Sequence, residues 1–134
     1  MINRNQIFSN NERSTLLNAL QGIRKGVQWK TGKDIVHLKK RQRLSHIPPS
    51  ASLLDYDTII SDLVKNDQNI LYLYEFIGNH YYAVRGFVQE TEWLVIFGAG
   101  GVMETAFPPE KMGDYLQNRG FVLIGQIKEV LKWT

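Results

Sequence analysis

Apolar side chains follow two periods along this chain, and the change comes near Asn69. Before it they recur every three or four residues. Leu16, Leu17, Leu20 and Ile23 make one stripe, which predicts a helix over residues 12–25. Ser9 to Asn11 offer N-cap side chains, Arg24 and Lys25 suit the last turn, and Gly26 stops the helix. Ile59, Ile60, Leu63 and Val64 make a second stripe, predicting a helix over 56–65 with Asp55 as its cap. Between the two, Val27 and Trp29 alternate with polar neighbours as a short extended segment does. Residues 34–43 fit a basic turn or a short helix with Ile35 and Leu38 facing inward, ended by Pro48 and Pro49.

After Asn69 the period falls to two. Residues 70–77, 81–89, 93–97 and 102–107 are rich in aliphatic and aromatic side chains, and short turns separate them. Four strands joined by such short loops predict an antiparallel meander. Residues 109–118 predict a short helix that Gly113 weakens, and 121–124 a fifth strand. Residues 126–133 fit a terminal helix or an extended tail equally well. The expected fold is α+β: N-terminal helices packed on one face of a four- to five-stranded antiparallel meander sheet. The 134 residues suit one domain, with an N-terminal helix in 1–26, a basic segment at 27–47, a helix in 55–66 and the sheet over 70–124.

Composition narrows the chemistry. No cysteine is present, which excludes disulfides, thiolate zinc sites and a cysteine nucleophile. The opening residues carry no apolar run of the kind an export signal needs, and no stretch is long enough to span a membrane, so a soluble cytoplasmic protein is expected. A toxin domain cut from a longer secreted chain has the same appearance. His37, His46 and His80 lack metal-ligand spacing, so neither a metal nor a cofactor is expected.

Charge is distributed unevenly. Between Arg24 and Arg43 lie eight of the 16 Lys and Arg residues but only one of the 13 acids, a local charge of +7 that leaves −4 for the rest. A basic arm on a mildly acidic body suggests a polyanion, nucleic acid first. A metal-free ribonuclease needs a base for the ribose 2′-hydroxyl, an acid for the leaving oxygen and cations for the phosphorane. His37 among Lys33, Lys39, Lys40, Arg41 and Arg43, with His46 nearby, can supply them, although a solvated basic loop has the same composition. Met103, Thr105 and Phe107 are expected on one face of their strand, where the Thr105 hydroxyl can meet a phosphate. Arg85, mid-strand among apolar residues, either snorkels or binds phosphate. Tyr72, Tyr74, Phe76, Tyr81, Tyr82 and Trp93 fit core packing better than base stacking. The Gly98-Ala99-Gly100-Gly101 run reads as a turn, because a strand rather than a helix follows it.

The segments His37-Leu38-Lys39-Lys40-Arg41 and Glu104-Thr105-Ala106-Phe107-Pro108, in that order and on that layout, resemble the bacterial toxin nucleases of the barnase–EndoU–colicin–RelE-like superfamily. Colicin D-like and contact-dependent-inhibition toxin domains belong to it. The similarity covers residues 34–109. It implies a metal-independent ribonuclease, often aimed at tRNA and neutralised by a cognate immunity or antitoxin protein. It also implies His37 as general acid or base, Lys39, Lys40 and Arg41 at the phosphate, and Thr105 bonded to the scissile phosphate. Members often carry a histidine after the Lys-Arg pair. This chain has Gln42, which cannot titrate. Two other readings remain: a non-catalytic nucleic-acid-binding domain, and an interaction or inhibitor protein.

Overall fold

A computed structural model describes residues 9–133. The chain runs α1 (Asn10–Lys25), β1 (Gln28–Trp29), α2 (Lys33–Arg43), α3 (Leu53–Lys65), β2 (Ile70–Phe76), β3 (Asn79–Val88), β4 (Thr91–Phe97), β5 (Val102–Phe107), α4 (Met112–Asn118), β6 (Val122–Gln126) and α5 (Ile127–Val130). The α+β class is as expected. The expectation about the first residues of the chain falls on positions 1–8, outside the described residues. No helix among the described residues is long and apolar enough to cross a membrane.

Both long helices start on reciprocal caps. Ser9 accepts from the Glu12 amide while Glu12 reaches back to the Ser9 amide, and Ser52 and Asp55 do the same for α3. Asp55 is therefore the third residue of α3, and Ser52 is its cap. Arg24 near the end of α1 donates to the Val64 carbonyl at 3.1 Å and to Asp67 at 2.9 Å, so this cation of the basic arm ties α1 to the end of α3.

The sheet has six strands in the order β1-β5-β4-β3-β2-β6. β2 to β5 are the expected antiparallel meander, and β6 adds antiparallel to β2. The expected four to five strands become six because Gln28 and Trp29 pair in parallel with Val102 and Met103. Two residues are too short for a periodic signal, and a parallel partner is set by tertiary contacts. The described residues end on the short helix α5 rather than an extended tail.

Helices cover both faces of the sheet, where one face was expected. Leu16, Leu20 and Ile23 of α1 and Tyr56, Ile60 and Val64 of α3 pack on Leu71, Tyr82, Val84, Val95 and Phe97. On the opposite face, Met112 and Leu116 of α4 pack on Tyr72, Ala83, Leu94 and Ile96. The glycine run between β4 and β5 is a single helical turn pressed against α1. A Cβ on Gly22 would collide with the Gly100 carbonyl, and one on Gly101 with the backbone at Ile23 and Ala19, so backbone meets backbone there.

β5 departs from strict alternation. Phe97 pairs with Met103 and Ile96 with Thr105, so Glu104 is an extra residue in a β-bulge. Met103 and Ala106 turn into the core, at 2% and 0% exposure, while Thr105 and Phe107 face the other way. The expectation that Met103 shares a face with Thr105 fails for this reason. Tyr56 anchors this strand by donating to the Ala106 carbonyl at 2.6 Å, and burial pushes its phenol up to about 12.

Candidate active-site cleft

Residues 33–43 form a helix, with Gly32 entering it at a φ of 80°. On a helix, Lys33, His37 and Lys40 recur at four- and three-residue spacing and share one side. Leu38 and Arg41 are its buried residues. Ile35, expected inward, is 40% exposed instead. It lies about 160° around the helix from His37, so the inward side passes to Leu38 and Arg41.

The bulged end of β5 brings Thr105 to α2. His37 Nδ1 lies 3.2 Å from Thr105 Oγ1, across 68 residues of sequence. Trp29 of β1 stacks on the imidazole with centroids 5.2 Å apart, and its indole N–H donates to Asp57 at 3.0 Å. From α4 and its end come Tyr115 and Arg119, whose guanidinium lies 4.4 Å over the Tyr115 ring. His37, Thr105, Tyr115 and Arg119 border an open cleft of about 500 Å3, with Lys30, Lys33, Lys40 and Arg119 as its cations and Glu104 as its one acid among the described residues. Lys30 and Glu104 approach to 3.7 Å at its rim.

His37 is held below the ordinary imidazole value. Partial burial is the larger cause, followed by the like charges of Arg41, Lys40 and Lys33, while Glu104 acts the other way. Its neutral form is favoured near pH 7, which suits a base. No described side chain hydrogen-bonds its Nε2.

Of the residues singled out in the sequence, Lys33, His37, Lys40 and Thr105 line this cleft. Lys39 and Arg43 are exposed on α2 and do not line it. Arg41 is not a surface phosphate ligand: it is 3% exposed, lies 5.4 Å from the Phe107 ring centroid and contacts His46 Nδ1 at 3.2 Å. Its Nε is buried without a partner. His46 lines a separate depression beside Pro108 and Pro109. Burial first, then Arg41, lowers its pKa. Arg85 is occupied as well, bonded to Glu92 at 2.6 and 3.3 Å and to the Tyr72 hydroxyl at 3.2 Å. Gln42 donates to the Pro49 and Ala51 carbonyls at 3.2 and 2.9 Å, so it clamps the loop after α2.

Trp29, Lys30, Glu104, Tyr115 and Arg119 were not among the expected site residues. The i, i+4 spacing of Tyr115 and Arg119 was the one readable signal, since it aligns ring and cation on a helix. No cluster of metal-ligating side chains exists among the described residues. Compared with known proteins, the chain matches no protein-family model, no curated protein and no solved structure.

Proposed function

We propose that this chain is a metal-independent ribonuclease that cleaves RNA, tRNA foremost, by attack of a 2′-hydroxyl on the adjacent phosphate. The observation that carries this reading is the 3.2 Å contact of His37 with Thr105 inside a cleft walled by cations. One tautomer serves both residues. If Nδ1–H donates to Thr105 Oγ1, the Nε2 lone pair can take the 2′-hydroxyl proton, and the Thr105 hydroxyl remains free to donate to a phosphate oxygen. Lys33, Lys40 and Arg119 then stabilise the charge that builds on phosphorus. The 2′-oxygen bonds to phosphorus, the bond to the 5′-oxygen breaks, and the Lys40 ammonium protonates that oxygen. The products are a 2′,3′-cyclic phosphate and a 5′-hydroxyl.

Lys39, expected at the phosphate, is replaced in this scheme by Arg119 from α4. The resemblance adds the toxin setting, action in the cytoplasm and a cognate immunity or antitoxin protein. A partner of that kind would cover the cleft with acids. The test is incubation of the folded protein with total tRNA in EDTA between pH 6 and 8. Cleavage to cyclic-phosphate ends, reduced about 10²–10⁴-fold in His37→Ala, is expected; intact tRNA throughout that range refutes it. The single imidazole in the cleft favours one rival, a non-catalytic RNA-binding domain, for which His37→Ala leaves affinity unchanged and nothing is cut.

A further inference from the structure

A second groove of about 540 Å3 opens beside the cleft, and the two share Lys30 and Glu104 as a common wall. Its volume is within the range of small-ligand sites, roughly 300–1,000 Å3. Its chemistry differs from that of the cleft. Lys30 lies 3.7 Å from Glu104 and His80 Nε2 3.5 Å from Glu75, so among the described residues each basic side chain that lines the groove has an acidic neighbour. Its other lining includes the aromatic ring of Tyr81, the Asn79 amide, the backbone around Gly98, Val102, and Thr15, whose hydroxyl donates to the Asn11 carbonyl. No described group hydrogen-bonds the Asn79 side chain, although that amide carries two donors and an acceptor. A cationic cleft joined to a neutral, ring-lined groove with an uncommitted amide divides a nucleotide as its own chemistry does, phosphate on one side and base on the other.

We infer that this groove is a base-recognition subsite for the nucleotide adjoining the cleaved bond, an inference that rests on the ribonuclease reading. The Tyr81 ring packs the base face, and the Asn79 amide pairs with its edge. Such an amide matches the N6 and N7 groups of adenine with two bonds, so adenine is the preferred occupant. Gly98 leaves room for it. Its φ of −111° is open to any residue, and an added Cβ would rest 3.4 Å from the Tyr81 ring without a clash. Gly98→Ala therefore narrows the groove while keeping the backbone.

The experiment compares cleavage of dinucleoside monophosphates that differ in one base, with binding of 2′-O-methyl oligonucleotides, which cannot be cut, followed by fluorescence anisotropy. The expected result is a preference for one base of about tenfold or more, collapsing in Asn79→Ala and weakened in Gly98→Ala. The melting temperature checks the fold of both variants. A flat preference in cleavage and binding, or one that survives Asn79→Ala, overturns the subsite even if RNA is cut, and the ribonuclease reading then stands alone. Base-selective binding that depends on Asn79, with no cleavage, upholds the subsite and removes the catalytic reading. Absence of both binding and cleavage overturns both.

Discussion

Trp29 covers one face of His37, their planes inclined by 29°, and it is itself held by the Asp57 carboxylate at 3.0 Å. A two-residue strand thus carries the side chain that shields the proposed base from water. In Trp29→Ala that shield is gone, and burial no longer depresses the imidazole as strongly. The His37 pKa should rise toward its ordinary value, which an NMR titration of its ring proton reads directly. Loss of a half-buried indole should cost on the order of 2 kcal/mol in stability. A pKa that stays in place would show that the ring does not set the histidine's environment.

The charges around His37 set the acid limb of the pH profile. In the proposed reaction the active base is neutral imidazole, so kcat/KM should rise with pH through a His37 pKa below 6.5. Lys33→Met removes a like charge and should move that limb to higher pH. Glu104→Gln removes the opposing carboxylate and should move it lower. The same depression links to folding: the contribution of His37 and His46 is fully present above 6.5 and declines as pH falls through 6.5 toward their folded values. Profiles measured on the three proteins under one buffer series decide the order.

If RNA occupies the cleft as proposed, salt dependence separates cations that touch it from those that do not. Lys33→Met and Lys40→Met should each reduce the slope of log K against log salt by about 1. Arg41→Met should leave the slope unchanged, because the guanidinium is buried against Phe107 and His46. Its stability should shift by no more than about 2 kcal/mol, since an apolar side chain there also removes a buried nitrogen without a partner. A reduced slope in Arg41→Met would place this residue on the RNA after all.

The β2–β3 hairpin holds a strained residue. Phe76 pairs with Asn79 across a two-residue turn in which Ile77 and Gly78 both have positive φ, 49° and 74°. A branched side chain is costly in that region, and Ile77 is 83% exposed, so little packing offsets the cost. Ile77→Asn should stabilise the protein by about 1 kcal/mol, seen as a higher melting temperature. An unchanged or lower value would mean that Ile77 has contacts that compensate.

Much of this fold could be read in the sequence because it is local. The stripes of α1 and α3, the Ser9 cap and the short turns of the meander are all written within a few residues of where they act. The pairing of His37 with Thr105 was legible only as two motifs in order. What joins them, the bulge at Glu104 and the pairing of Trp29 with Met103, arises from tertiary contacts. Arg41 and Arg85 looked like phosphate ligands because charge was visible and burial was not. Arg119 was overlooked because it enters the cleft from a helix beyond the span that carries the motifs.

The bulge makes β5 sensitive to length rather than to identity. Glu104 supplies one residue's worth of phase, and nearly any side chain in its place would preserve that offset. Removing the position altogether would close the bulge: Met103 would still face inward and Thr105 outward, now as plain alternating neighbours, but the local bend that carries the hydroxyl to α2 would go, and the histidine would lose its companion with no change to α2.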